Sequence, residues 1–507
     1  MARVCIGFAA CALFAGAAGS ACADVTLSSN ATQNMVCTGG VCAPTADSAT
    51  LNVNDLETLL ASGNVEVTTT GSGVQANNIV HGANLSWSGP ATLTLDAHQS
   101  ITIDTAIAVA GTGGLNLRTN DGGSGGALLF GPAGNITFQT LSSPLAINGN
   151  SYTLVNSIAA LAQTGGNGFI ALAQSYDASG DGVYAASPVQ NLSGTFEGLG
   201  NTISNLTITD SGPDYVGLFS GIATTGNVRD FALSNVTITS IDQANLGVGA
   251  LAGESAGQIF GVWSSGAVTS ARSPVGGLAG STNGGTITNS YSTAAISAGV
   301  DGGGGLVGEA VRTTIDNCYA AGEVSNTTAT WIGGLLGSSE RARIEYSFAS
   351  GTVRGLGGSE GGSEAGGLIG ITLDNPRVIS SYATGDVVGG TFSDVGGLIG
   401  YVVYGGKFGK SYSTGSVSGN RGSLVGGFVG GIGESRYPVT FQQDYWDTDT
   451  SGASEGTGNE GNVTGLTGLT SAQFQAKLPK GLSKKYWAEN PDINSGFPYL
   501  LANPPPE

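Results

Sequence analysis

The chain has 507 residues, of which 87 are Gly, and only 10% are charged, with 36 acids against 17 bases for a net charge of −19; an average globular chain has about 7% Gly and about a quarter charged residues. Gly costs about 1 kcal/mol relative to Ala in a helix interior, so glycines spread along the whole length exclude long helices, and their lack of a three-residue period excludes collagen. The 40% hydrophobic content exceeds what a disordered chain carries, while the acidic balance opposes nucleic acid and anionic lipid, both of which need clustered Lys and Arg.

In chain order, Met1-Ala2-Arg3, an apolar stretch from Val4 to Ala18, and Ala21-Cys22-Ala23 before Asp24 read as a secretory signal, 1–23, cleaved after Ala23. No later segment holds about 20 uninterrupted apolar residues, so no transmembrane helix is predicted. Removing the signal leaves Cys37, Cys42 and Cys318. In an oxidising compartment the Cys37-Thr-Gly-Gly-Val-Cys42 loop is a candidate disulfide, and Cys318 is left odd. From 24 to 190 short strand pulses recur, among them Val65-Glu66-Val67-Thr68, Leu93-Thr94-Leu95, Ile101-Thr102-Ile103, Leu115-Asn116-Leu117 and Ile136-Thr137-Phe138, several of them roughly twenty residues apart. These predict a smaller β-coil, with a short helix at Asn54 to Ser62.

From 191 to 450 the chain repeats. Gly-Gly-Leu-x-Gly stands at Gly276, Gly304, Gly333, Gly366 and Gly396, with degenerate copies at Val216, Gly249 and Gly426, so the period is about 30 residues. Between copies lies an aromatic among small residues: Tyr291, Tyr319, Phe348, Tyr382 and Tyr412, with Phe231, Trp263 and Tyr445 filling the same place at the ends. Helical repeats of this length need long runs of helix formers, which are missing here. Runs of three to five Val, Ile, Leu and Thr punctuated by Gly, Asn, Asp and Ser are strand-and-turn signals. If each period is one turn of a coil, equivalent residues stack at about 4.8 Å. Leu278, Leu306, Leu335, Leu368 and Leu398 then form an inward ladder, the aromatics form a second ladder, and Ser290, Cys318, Ser347, Ser381 and Ser411 share one column, which makes Cys318 a small column member. The tail, 451–507, is predicted to carry a helix at Ser471 to Leu482 and an aromatic, Pro-rich end that caps an open sheet edge.

At these motifs the chain resembles the GLUG-motif proteins, whose repeats lie within large bacterial surface proteins of the filamentous haemagglutinin type. Gly194-Thr195-Phe196-Glu197-Gly198-Leu199-Gly200-Asn201 resembles the entry to such arrays, and Tyr445-Trp446-Asp447-Thr448-Asp449 and Gly496-Phe497-Pro498-Tyr499-Leu500 resemble their close. Residues 24–190 are similar to the leader of haemagglutinin-like exoproteins. The resemblance implies a right-handed parallel β-helix, or β-solenoid, with export from the cell, an outer-membrane export partner, an adhesive or surface role, and no catalytic residue.

The residues agree on the last point. Gly253-Glu254-Ser255-Ala256-Gly257 and Gly122-Gly123-Ser124-Gly125-Gly126 copy the nucleophile elbow of hydrolases, but the only histidines, His81 and His98, do not follow Ser255 in the chain and make no zinc motif. Asp177-x-Ser179-x-Asp181-Gly182 and Asp447-x-Asp449-x-Ser451-Gly452 copy the opening of a calcium loop, yet their twelfth positions are Pro188 and Gly458, not Glu. Asp177, Asp181, Asp447 and Asp449 are therefore weak calcium candidates beside a turn-capping reading, and no cofactor is expected. The expectation is a secreted, non-enzymatic β-solenoid adhesin that meets a host, neighbour-cell, glycan or matrix surface. Its rivals are a polysaccharide lyase or hydrolase built on Asp444, Asp447 and Asp449, and a passive surface-layer component.

Overall fold

The computed structural model describes residues 23–241, 246–326, 328, 331–357, 362–434, 437–461 and 463–506; the predicted signal segment, with Cys5, Cys11 and Cys22, lies outside them except for Ala23. The chain is all-β and forms two compact units, Met1–Tyr176 with Thr195–Thr202, and Asp177–Gly194 with Ile203–Glu507. Both are stacks of parallel coils, as the strand-and-turn pattern predicts.

In the first unit the coils have three faces. One carries Asp24–Ser28, Ala49–Asn52, Asn78–His81, Ile101–Ile103 and Leu128–Phe130; another Val65–Thr68, Thr92–Asp96, Gly114–Arg118 and Leu145–Ile147; the third Leu85–Trp87, Ala106–Val109 and Asn135–Phe138. Alternation turns every second side chain inward, so Val25, Ile79, Ile101 and Leu128 stack in register and are buried. His81 stands in such a column between Leu27 and Ile103. Burial pushes its pKa down to about 4, which keeps the ring neutral and apolar in character. The predicted helix is Val53–Leu60, started by the Asn52 side chain accepting from the amides of Asn54 and Asp55 and packed through Val53, Leu56 and Leu60. A second short helix, Ile158–Gln163, was not expected; Ser157 caps it. Cys37 and Cys42 face each other across the antiparallel pair Met35–Thr38 and Val41–Pro44 and are joined as a disulfide.

In the second unit one coil is made of five short strands, for example Gly303–Gly304, Val307–Val311, Thr314–Asp316, Tyr319–Ala320 and Val324–Asn326. The leucines of the glycine motif are all fully buried, and their amides run down the stack, Leu278 to the carbonyl of Leu306, Leu306 to Leu335, Leu335 to Leu368 and Leu368 to Leu398, at 2.8–2.9 Å. The motif's glycines serve close approach and not turning: a Cβ on Gly334 would lie 2.1 Å from the Gly367 carbonyl oxygen and 2.8 Å from the Ala349 Cβ. Each coil therefore folds tightly against the next only where no side chain stands.

Beside this wall runs an inward column of hydroxyls. Ser347 Oγ accepts from the Cys318 amide at 3.1 Å, Ser381 Oγ from the Ser347 amide at 3.3 Å, and Ser411 Oγ from the Ser381 amide at 3.2 Å. Each hydroxyl also donates to the carbonyl two residues earlier. Cys318 occupies one rung, its thiol directed at the carbonyls of Asp316 and Ile287, and burial pushes its pKa up to about 12. The thiol is thus neither exposed nor ionised. A maleimide reagent is expected to leave Cys318 unlabelled in the folded chain and to label it after denaturation, and Cys318→Ser is expected to shift stability by less than about 1 kcal/mol because the hydroxyl restores the rung.

Candidate functional site

The aromatics sit between buried small residues, as Tyr291 does between Ser290 and Ser292, so pleating directs the rings away from the coil interior. They stack nearly parallel from coil to coil: Trp263 on Tyr291 at 5.7 Å, Tyr291 on Tyr319 at 4.5 Å, Tyr319 on Phe348 at 4.9 Å, Phe348 on Tyr382 at 4.8 Å and Tyr382 on Tyr412 at 5.0 Å, with interplanar angles of 3–8°. The tail does not simply close the end of the stack. Its first part, Leu466–Leu469, pairs with Asp444–Asp447 as one more strand. The remainder turns back along the lateral face as a strap over the rings. Trp487 meets both Tyr382 and Tyr412 at 5.8 Å, and Phe474 meets Tyr412 at 5.5 Å. Tyr445 donates to the Lys480 carbonyl at 2.7 Å, Tyr412 donates to the Pro498 carbonyl, and Asn503 donates to the carbonyl of Cys318 at 3.1 Å. The strap helix is Ser471–Ala476, shorter than expected and closed at its start by a Thr470–Gln473 capping box.

The acidic candidates make local hydrogen bonds. Asp177 accepts from the Ser179 amide at 2.9 Å and from Asn205 at 2.8 Å, and Asp181 accepts from the Tyr184 hydroxyl at 2.6 Å. Asp447 accepts from the amide of Asp449 at 2.8 Å and from the Ser471 hydroxyl at 2.6 Å, while Asp449 accepts from the Ser471 amide at 3.0 Å. Among the described residues no group of three or more His, Cys, Asp or Glu is placed to hold a metal. The carbohydrate-cleaving arrangement expected from Asp444, Asp447 and Asp449 is not assembled, because Asp444 and Asp447 are fully buried and spend their oxygens on amides and a hydroxyl. Ser255 is likewise buried in the strand Ala252–Ser255, so the hydrolase-like motif is a coil segment.

Asp444 ends the hydroxyl column, taking the Ser411 amide at 2.9 Å on one oxygen and the Gln442 amide at 2.9 Å on the other. Burial outweighs these bonds and pushes its pKa up to about 8. A carboxyl raised in the folded state favours folding fully below its unfolded pKa near 4, and that contribution is lost as pH rises through about 8. Asp444→Ser is therefore expected to melt higher than the parent at pH 8.5, with the difference shrinking or reversing at pH 4; equal shifts at both pH values would refute the assignment.

Two features of the lateral surface were not picked out from the sequence. Glu364 and Asp394 lie in register on successive coils, and partial burial raises their pKa values to about 7 and about 6. Both precede the Gly-Gly pair by two residues, an offset that would have revealed the pair. On another face Arg343, Arg377 and Lys407 stack in register and are exposed. Glu345 lies between the arginines, bonded at 2.7 Å to Arg343 and 3.2 Å to Arg377. Desolvation pushes the Glu345 carboxyl up, but hydrogen bonds from Arg343 and Arg377 prevail and hold it below its ordinary value. The neighbouring Tyr346 packs against Tyr486 of the strap at 5.1 Å, and Lys485 lies 4.9 Å over the Tyr486 ring. Lys485 and Lys410 both hold the Tyr486 hydroxyl below its usual pKa. Coil and strap thus combine five cations and two tyrosines in one place.

No family model matches the chain. Over 149 residues, 29% of the chain, it is 33% identical to Halomucin of Haloquadratum walsbyi, and it spans about 1% of that protein's length. A candidate immunoglobulin A1 protease from Bacteroides ovatus shares 19% identity at a TM-score of 0.37, over 70% of this chain and 93% of that one. Among the described residues no helix is long and apolar enough to cross a membrane.

Proposed function

We propose that the protein is an exported, surface-exposed β-solenoid of the GLUG-motif kind whose coils attach the cell to a glycan, matrix or neighbouring surface, without catalysis. The observation that carries this reading is the lateral face itself: outward positions repeat the same chemistry coil after coil, as in Arg343, Arg377 and Lys407, which suits an extended partner better than a single small molecule. Solenoids present such elongated surfaces because each coil contacts only its neighbours. The mature chain is expected to be retained on cells or on immobilised glycan or matrix, and a deletion strain to attach less. A mature chain retained on none of these surfaces, with a deletion strain that attaches as well as the parent, would overturn the reading.

A second reading, cleavage of a polysaccharide, draws on Glu364 and Asp394, a stacked carboxyl pair with raised pKa values of the sort that acid–base chemistry uses. It predicts new reducing ends or unsaturated products from a polysaccharide panel, abolished in Glu364→Gln. A panel without products removes it.

A further inference from the structure

We infer that the face formed by Arg343, Arg377, Lys407, Lys410 and the strap residues Lys485 and Tyr486 is a binding site for a linear carboxylate-bearing polysaccharide, a polyuronate. The inference rests on the adhesin reading and names its ligand class.

The charge is local and runs against the chain. The protein carries −19 overall and has only 17 bases in 507 residues, yet five of them converge here, from residues far apart in sequence. Glu345 and Asp316 are the carboxylates that face the group from the coils: Glu345 bridges the two arginines, and both acids act on Tyr346. Among the described residues, five cations against two acids leave the patch cationic. Both arginines are half exposed while bonded to Glu345, so guanidinium donors remain for an incoming carboxylate, which Arg receives in a forked, charge-assisted geometry.

The spacing selects a polymer. Arg343, Arg377 and Lys407 occupy the same position on consecutive coils, hence about 4.8 Å apart, and a polyuronate presents one carboxylate per sugar along its length. Tyr346 and Tyr486 stand beside the cations, and Tyr486 is 40% exposed, so an aromatic surface is available against the apolar faces of sugar rings.

The test uses the mature chain on immobilised polyuronate, neutral polysaccharide and sulfated polysaccharide, with affinity followed against salt. Retention on polyuronate is expected to weaken as salt rises, and Arg343→Gln/Arg377→Gln/Lys407→Gln is expected to lose at least about tenfold in affinity. Glu345→Gln, which releases both arginines, is expected to bind more tightly; a merely structural role for the ion pairs would not raise affinity. Lys477→Gln, elsewhere on the strap, serves as the control. Unchanged affinity in the triple variant, with its melting curve intact, overturns the site, as does a preference for the sulfated polymer. Retention on neutral glycan alone, or on none of the three polysaccharides, overturns the inference and leaves the adhesin reading to its own test on cells and matrix; failure there as well removes both. Self-association of the chain that is lost in the triple variant would instead assign the face to a second copy.

Discussion

Gly334→Ala is expected to lower stability by about 3 kcal/mol or more, near the upper end for overpacked interiors, although it adds a single methyl group to a helix-neutral, strand-tolerant position. The added Cβ would lie 2.1 Å from the carbonyl oxygen of Gly367 on the next coil, and that oxygen belongs to backbone held in register on both sides, with the leucine rungs Leu335 and Leu368 bonded at 2.9 Å immediately beside it. No rotamer can relieve such a contact; the two coils must part. Gly305, Gly367 and Gly397 repeat the geometry, each with a carbonyl oxygen 2.1–2.2 Å from the would-be Cβ, so the same change is expected to cost a similar amount at any of them. Gly284→Ala is the informative contrast. That glycine has a φ of +82° but no atom within 4 Å of its would-be Cβ, so only backbone strain of about 1 kcal/mol or slightly more applies. Thermal or denaturant unfolding of the two variants side by side decides the matter, and equal losses would show that turning, not close approach, is what the motif's glycines supply.

Trp487→Ala is expected to cost about 3–5 kcal/mol, and truncation after Leu469 to make the chain associate and bind a hydrophobic dye. Trp487 is 1% exposed and lies across two rings of the ladder; Phe474, Leu482, Phe497 and Leu500 are buried in the same strap. Without it the face from Tyr319 to Tyr445 would become a contiguous apolar surface, larger than monomeric proteins ordinarily leave open. The hydroxyls of Tyr412 and Tyr445 would also lose the strap carbonyls that they address. Light scattering and dye fluorescence on the truncated chain are the measurements. A monomeric, dye-silent product with the parent melting temperature would mean that the ladder needs no cover.

The half-exposed start of the ladder, Trp263 and Tyr291, lies beyond the strap's last anchor at Cys318. A strap that holds one lateral face, and also contributes Lys485 and Tyr486 to the cationic patch beside it, ties the protection of the coils to the surface they present.

What could be read from the amino-acid order alone is what a solenoid makes periodic. When residue i lies over residue i+30, a sequence offset is a spatial neighbour, so the leucine rungs, the hydroxyl column with Cys318 in it and the aromatic ladder from Trp263 to Tyr445 were legible from spacing, and the same arithmetic applied to Glu364 and Asp394 finds the carboxyl pair; Phe231, expected in the ladder, instead pairs with Val262 and is buried, because the register there sets Ala232 against Trp263. The helix at Val53–Leu60 was legible because its start is a local capping event at Asn52. The short helix Ile158–Gln163 carries a cap of the same kind, the Ser157 hydroxyl accepting from the Ala160 amide, but it spans only six residues and its short alanine-rich run was not singled out. Tertiary structure alone decided the rest. The strap's path joins Asn503 to Cys318 across 185 residues, and apolar burial is non-directional, so no period announces which face it will cover. Asp444 and Asp447 look like a surface carboxylate cluster in sequence, yet folding buries them as acceptors for amides at the end of a column. The coils alone stack Arg343, Arg377 and Lys407, and only folding of the strap brings Lys485 and Tyr486 to Tyr346 beside them.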